Sequence, residues 1–163
     1  LFAFLAPTLL ATGASAALTG GLIAAYGVSV VIWARVSARL AGRVPLLRMM
    51  AFGGALMVAS WTMVSLFPGP AGVLTAACLM GATIVFFHAS LQVWATQAAP
   101  QSRGPAIAMF SGSLFVGASL GTALGRPLFA AGRVQLLFGG GAAIAAVVVL
   151  VALLARRRSL QSA

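Results

Sequence analysis

Uncharged apolar stretches recur along this chain at the length a lipid bilayer demands. A helix needs about 20 mostly apolar residues to cross the hydrocarbon, at a rise of about 1.5 Å each. Residues 49–67 (MMAFGGALMVASWTMVSLF) make one crossing and stop at Pro68-Gly69-Pro70, since proline cannot continue a helix. Residues 72–97 make a slightly long second crossing that ends before Pro100, and residues 104–125 a third that ends at Arg126-Pro127. Residues 134–155 make a fourth, closed by Arg156-Arg157-Arg158. Residues 1–34 carry no charge, yet one helix of that length would run roughly 50 Å, too long for the membrane. The small and polar run Ala11-Thr12-Gly13-Ala14-Ser15-Ala16 reads as a turn. That leaves residues 17–36 as a full crossing and residues 1–11 as the tail of an earlier one, covering about 17 Å. Backbone groups in lipid must be satisfied within their own segment, so each stretch is expected to be a helix. The pattern predicts an all-α integral membrane protein: a polytopic helical bundle of about five full spans plus a truncated first one.

Composition sharpens this. The 163 residues are 62% hydrophobic and 6% charged, with a mean hydropathy of +1.12, where a soluble domain carries roughly a quarter charged residues. All ten charges are arginine; there is no Lys, Asp or Glu. Such a surface could not be solvated as a globular enzyme. The missing acids also exclude paired-carboxylate catalysis, Ser-His-Asp triads and carboxylate-ligated metal sites, so no enzyme activity, metal or cofactor is expected. Cys78 stands alone, which excludes an intrachain disulfide and any Cys-x-x-Cys site. The net charge of +10 would ordinarily raise nucleic acid as a partner, but the arginines are scattered between apolar runs with no basic face. Membrane lipids are the expected partners instead.

Positive charge concentrates in cytoplasmic loops. Arg35, Arg39, Arg43, Arg48, Arg103, Arg156, Arg157 and Arg158 fall on one side of the predicted membrane, against Arg126 and Arg133 on the other. The C-terminus is therefore expected in the cytoplasm. Arg126 falls about 33 Å along its span from Gly104, at the opposite interface, where snorkelling is ordinary.

Few span residues carry chemistry. His88 is the one span side chain that could titrate near neutral pH. Gln92 and Thr96 follow at one-turn intervals and share its helix face; polar groups at this depth usually face the bundle interior or a water-filled cavity. His88, Gln92 and Thr96, with Trp94 beside them and Ser111 and Ser113 on the next span, are the candidate cavity residues. For His88 the competing reading is a neutral ring bonded to a neighbouring helix, and for Trp94 an interfacial belt residue like Trp33 and Trp61. Gly117, Gly121 and Gly125 repeat every four residues, a spacing that lets helices approach closely, whether for simple packing or as a sliding surface.

Two segments carry a family resemblance. Trp33-Ala34-Arg35-Val36-Ser37-Ala38-Arg39-Leu40-Ala41-Gly42-Arg43-Val44-Pro45-Leu46-Leu47 resembles, in degenerate form, the short cytoplasmic loop of the major facilitator superfamily. Arg35, Arg39, Gly42 and Arg43 stand in that loop, but the motif's acid is missing in either possible frame. Ala98-Ala99-Pro100-Gln101-Ser102-Arg103-Gly104-Pro105, followed by Phe115-Val116-Gly117-Ala118-Ser119-Leu120-Gly121, resembles the start of that superfamily's penultimate helix. Gly42-Arg43-Val44-Pro45-Leu46-Leu47 and Gly132-Arg133-Val134-Gln135-Leu136-Leu137 are nearly the same string. Each opens the third helix of a putative triplet from opposite sides of the membrane, as inverted repeats would place them.

The resemblance implies the C-terminal half of a twelve-span transporter, beginning partway through its seventh helix, with the N-terminal half of the same chain absent from this piece. It implies secondary active transport of a small solute, drug- or sugar-efflux-like, by alternating access in a bacterial inner (plasma) membrane, coupled to protons or not. Any acidic coupling residue would have to lie in the other half. The alternative from a different class is a non-transporting membrane scaffold or partner subunit that assembles through the Gly117/Gly121/Gly125 face.

Overall fold

The computed structural model describes residues 2–161, of which 88% are helical, with no strand among them. The helices are α1 (Phe2–Ala11), α2 (Ala16–Leu40), α3 (Leu46–Leu66), α4 (Pro70–Thr83), α5 (Ala89–Ala98), α6 (Arg103–Ala130) and α7 (Val134–Gln161). A π-helical turn, Ile84–His88, joins α4 to α5, so that Pro70–Ala98 forms one span. Five helices are long and apolar enough to cross a membrane. The chain is an all-helical protein built for the bilayer.

The helix ends follow local chemistry. Ser15 caps α2 by accepting the Leu18 amide at 3.2 Å, satisfying one of the first-turn donors that a helix leaves unpaired. Pro70 opens α4 at a position where no amide is needed. The Arg133 amide bonds the Leu128 carbonyl at 2.9 Å and the Gly132 amide bonds Phe129 at 3.0 Å. Those two bonds close α6, with Gly132 at φ +70°, a conformation that favours glycine. Gly42, its counterpart in the repeated string, is also left-handed at +76°, though it follows a different hydrogen-bond pattern.

The spans overrun the expected boundaries by a few residues, most clearly in α6, which passes through Arg126-Pro127 to Ala130. Proline removes one bond to the preceding turn, and this close to a helix end a single loss does not break the rod.

Between apolar helices in lipid the hydrophobic effect offers no net gain, so packing rests on close approach. Helix α3 is the hub. It runs antiparallel to α7, with Gly54 under Val149 and Trp61 over Gly141, Trp61 and Phe138 rings 6.0 Å apart, and Ser65 Oγ donating to the Gln135 carbonyl at 2.9 Å. Against α4 it buries Ser60, whose hydroxyl donates to the Ala76 carbonyl at 2.8 Å. Helix α2 leans on α4 through Ser29 Oγ and the Cys78 carbonyl, 2.6 Å apart, with Gly81 beneath Ser29. One apolar cluster gathers Phe4, Leu5 and Leu9 of α1 with Val64, Val73, Leu137 and Phe138. A second gathers Met50, Phe87 and Val149 at the other end.

The closest crossing is at Gly53, where a Cβ atom would run into the Phe87 amide nitrogen and sit 2.8 Å from the Phe86 carbonyl carbon. The obstacle is backbone and cannot swing aside. Gly53→Ala should therefore lower stability by about 1–3 kcal/mol. Gly117→Ala, at a site with no neighbour within 4 Å, should be neutral or stabilising by up to about 1 kcal/mol through helix propensity. Thermal unfolding of the detergent-solubilised protein tests this; equal midpoints for the two variants would refute the crossing as described.

Candidate functional site

The span Pro70–Ala98 contains the one irregularity in the bundle's interior. The Ala89 amide bonds back to the Ile84 carbonyl, five residues earlier, where an α-helix would reach back four. One extra residue in a turn rotates everything after it by about 100° relative to an unbroken helix. His88 closes that turn and is half-buried. Its ring meets Phe110 of α6, centroids 5.2 Å apart at 51°. On the expected competing reading His88 would hydrogen-bond a neighbouring helix; the contact to that helix is instead between rings.

Gln92 and Thr96 follow at one-turn spacing and are half-buried. Thr96 Oγ1 donates to its own helix at the Val93 carbonyl, 2.8 Å away. Ser113 Oγ likewise donates to Phe110 at 2.7 Å. Both hydroxyls keep their acceptor lone pairs and lose their donor to the backbone. Ser111, next to Phe110 in sequence, is half-buried, whereas Ser113 is exposed. The structure thus sets His88 against the Phe110–Ser111 part of α6.

Trp94 is not part of this group. It packs into the cluster of Met50, Phe87 and Val149, with the Arg156 guanidinium carbon 5.7 Å from its ring centroid. Six residues beyond His88 is a different helix face, so sequence proximity to the polar stripe does not bring Trp94 into it. Trp33 also has ring partners, edge-on to Phe52 at 6.3 Å and to Phe86 at 5.8 Å.

Helix α6 is the neighbour that His88 meets. Along its whole length only Gly125 is buried, packed beneath the Phe4 ring and Leu137. Gly117 and Gly121 meet nothing within 4 Å, so the close approach expected along that face is realised within the chain at Gly125 alone. Met109, Phe115 and Leu124 are each about three-quarters exposed. An open groove runs beside Phe115, Ala118, Ser119, Thr122 and Arg126, mixing small and polar side chains with apolar ones. A second, more apolar trough lies between α2 and α4 along Gly21, Ala24, Val28, Ile32 and Cys78. Of the expected loop residues, Arg35 and Arg39 lie in the last turns of α2 and Gly42 and Arg43 in the loop that follows it; all four are exposed. No cluster of three metal-ligating side chains occurs among the described residues.

The features that pattern reading did not anticipate are the π turn, the glycine crossing beneath it, and the Arg156 seat on Trp94. Only the buried small hydroxyls of α2 and α3 left a sequence trace, since Ser29 and Ser60 are isolated polar residues within apolar spans.

The His88–Phe110 contact ties α6 to the core near its start. An aromatic pair contributes about 0.5–1.5 kcal/mol, so His88→Ala should speed amide exchange in the first half of α6 by about two- to tenfold. Thr96→Val should leave that exchange unchanged. Hydrogen–deuterium exchange of the reconstituted protein reads both, and unchanged protection in His88→Ala would show that the ring contact does not hold α6. No family model, curated protein or solved structure matches this chain.

Proposed function

We propose that this chain is the C-terminal half of a twelve-span secondary transporter of the major facilitator type, moving a small solute by alternating access. The observation that carries the reading is the uneven covering of the helices. None of the most apolar stretch of α6 is buried and little of α2 is, while α4 lies in the centre with more than half of its stretch buried. The uncovered surface of α6 carries Gly112, Ser113, Gly117, Ser119 and Gly121 between exposed Met109, Phe115 and Leu124, a mixture in which the small residues leave room for another helix to approach. In such a transporter, two halves would face one another across a midplane cavity lined from this side by α6 and the His88–Gln92–Thr96 stripe.

The resemblance in the 33–45 and 98–121 segments adds the family. The repeated strings that open α3 and α7 add support for an inverted repeat, since those helices pack against one another and each follows a left-handed glycine. On this reading the membrane is a bacterial inner membrane and the C-terminus, with the arginine-rich stretch 35–48 where α2 ends and α3 begins, lies in the cytoplasm. The chain performs no covalent chemistry.

The same Gly117/Gly121 face favours a second reading, a scaffold whose surface docks a partner helix. Solute flux separates the two. Vesicles carrying the complete native gene product should accumulate or release a test solute, with ethidium and a labelled hexose as the first probes, well above protein-free vesicles. The intact mass of that product should lie near 40 kDa, at about 20 residues for each of twelve spans plus loops. A product of 16.4 kDa with no flux would favour the scaffold.

Because this half holds no carboxylate side chain, coupling by an acid would belong to the other half. His88→Ala in the complete protein should leave the pH dependence of transport unchanged. A flattened pH profile would make His88 the coupling residue.

A further inference from the structure

Nine of the ten arginines are exposed; Arg156 alone is half-buried. It sits near the end of α7, where α3 begins and α5 ends, above a floor of Leu46, Trp94, Ala152 and Leu153. Its guanidinium lies over the Trp94 ring, 5.7 Å from the centroid, and Nη2 donates to Gln97 Oε1 at 3.5 Å, a long bond. Its Nε is buried and has no hydrogen-bond partner. A buried charged N–H left unpaired is costly, and a guanidinium keeps its charge under all ordinary conditions. The chain has no Asp or Glu side chain to offer it.

No described residue supplies a counter-charge, so an anion must come from beyond them and meet the guanidinium at its terminal nitrogens, since Nε is closed off. A guanidinium presents a planar fork that matches two oxygens of a phosphate. Depth identifies where that phosphate comes from. Arg156 lies about 33 Å along α7 from Val134, against a hydrocarbon core of about 30 Å. If α7 starts at the opposite interface, Arg156 stands at headgroup level, with aliphatic side chains below it and Arg157 and Arg158 beyond.

We propose that the junction of α3, α5 and α7 at Arg156 is a binding site for the phosphodiester headgroup of an anionic phospholipid. Arg156 is the anchor. Trp94 holds the guanidinium flat by a cation–π contact, and Gln97 orients its fork. The first acyl carbons run down over Leu153 and Leu46. Arg157 and Arg158 raise the local concentration of anionic lipid through long-range attraction, at roughly fivefold per charge. The site stands whether or not the chain moves a solute.

The test is retention of phosphatidylglycerol against phosphatidylcholine by the purified protein through detergent exchange, read by native mass spectrometry. Wild type should retain the anionic lipid preferentially. Arg156→Gln should lose it by about tenfold, the worth of a charge-assisted bidentate pair, and Arg157→Gln by no more than about fivefold. Arg156→Lys keeps the charge and guards against misfolding, yet cannot present the fork; it should lose most of the preference as well. Equal losses in Arg156→Gln and Arg157→Gln would reduce the effect to diffuse attraction and overturn the site. Wild-type retention in Arg156→Lys would overturn the fork as anchor. Displacement of the lipid by excess inorganic phosphate would overturn the lipid as ligand in favour of a soluble anion.

Discussion

How near two helix backbones can come is the constraint on which this bundle depends. Water is absent between spans, so burying a leucine there gains little over leaving it in lipid. Cohesion comes from van der Waals contact and from the few hydroxyls that reach across to a carbonyl. Helix α3 spends two adjacent glycines on this. Gly53 opens toward the backbone of the π turn and Gly54 toward the Val149 side chain of α7, so that one helix takes two neighbours close in at the same level. Ser60 adds a buried bond to Ala76 a few residues further on. The positions of α4 and α7 follow from α3, and that of α2 from α4 through Gly81 and Ser29.

Helix α6 stands outside that scheme. It touches the rest near its end, where Gly125 lies under Phe4 and the Phe4 and Phe129 rings are 5.7 Å apart, and near its start, where Phe110 meets His88. An element held by few contacts opens at low free energy relative to the core. The π turn bears on the same point, since a turn with five-residue hydrogen bonds is a local departure from the α-helical ladder and recurs at functional sites. The one irregular turn of the interior and the least covered helix therefore meet at a single ring contact. An alternating-access device needs such a division between a rigid part and a loosely held wall.

Much of this architecture was legible because the bilayer imposes a length. Runs of about 20 uncharged residues, the Pro68-Gly69-Pro70 stop, and the small polar run before Ser15 are enough to count the spans and place their ends within a few residues. The π turn was not legible. Ile84–His88 is as apolar as its surroundings apart from His88, and one inserted residue leaves no periodicity to read when every face is apolar. The glycine pattern misled in a related way. A four-residue repeat such as Gly117/Gly121/Gly125 shows that a helix surface is smooth, not that another helix lies on it, and only Gly125 has one. The positions crowded by a neighbouring helix, Gly53, Gly54, Gly81 and Gly141, follow no such repeat, because crossing points are set by the angles between helices rather than by one helix's own period. Of the two readings open for Trp94, its packing on the Met50, Phe87 and Val149 cluster and on Arg156 fits a belt residue near the span end better than a member of the polar stripe.

Charge sets the last condition. A chain with ten arginines and no acidic side chain cannot neutralise any span end by a side-chain ion pair of its own. Arginine, unlike lysine, does not shed its proton on partial burial, so every cationic end needs counter-charge from water, from lipid phosphate or from another polypeptide. For the exposed arginines water and mobile ions suffice. Arg156 differs because its Nε is closed off from water while the rest of its guanidinium is held against Trp94 and Gln97. An anion there must meet a planar group at a set depth, with an apolar floor beneath it. Those requirements describe a lipid headgroup more closely than a dissolved ion, and they arise from the absence of carboxylates as much as from the presence of arginine.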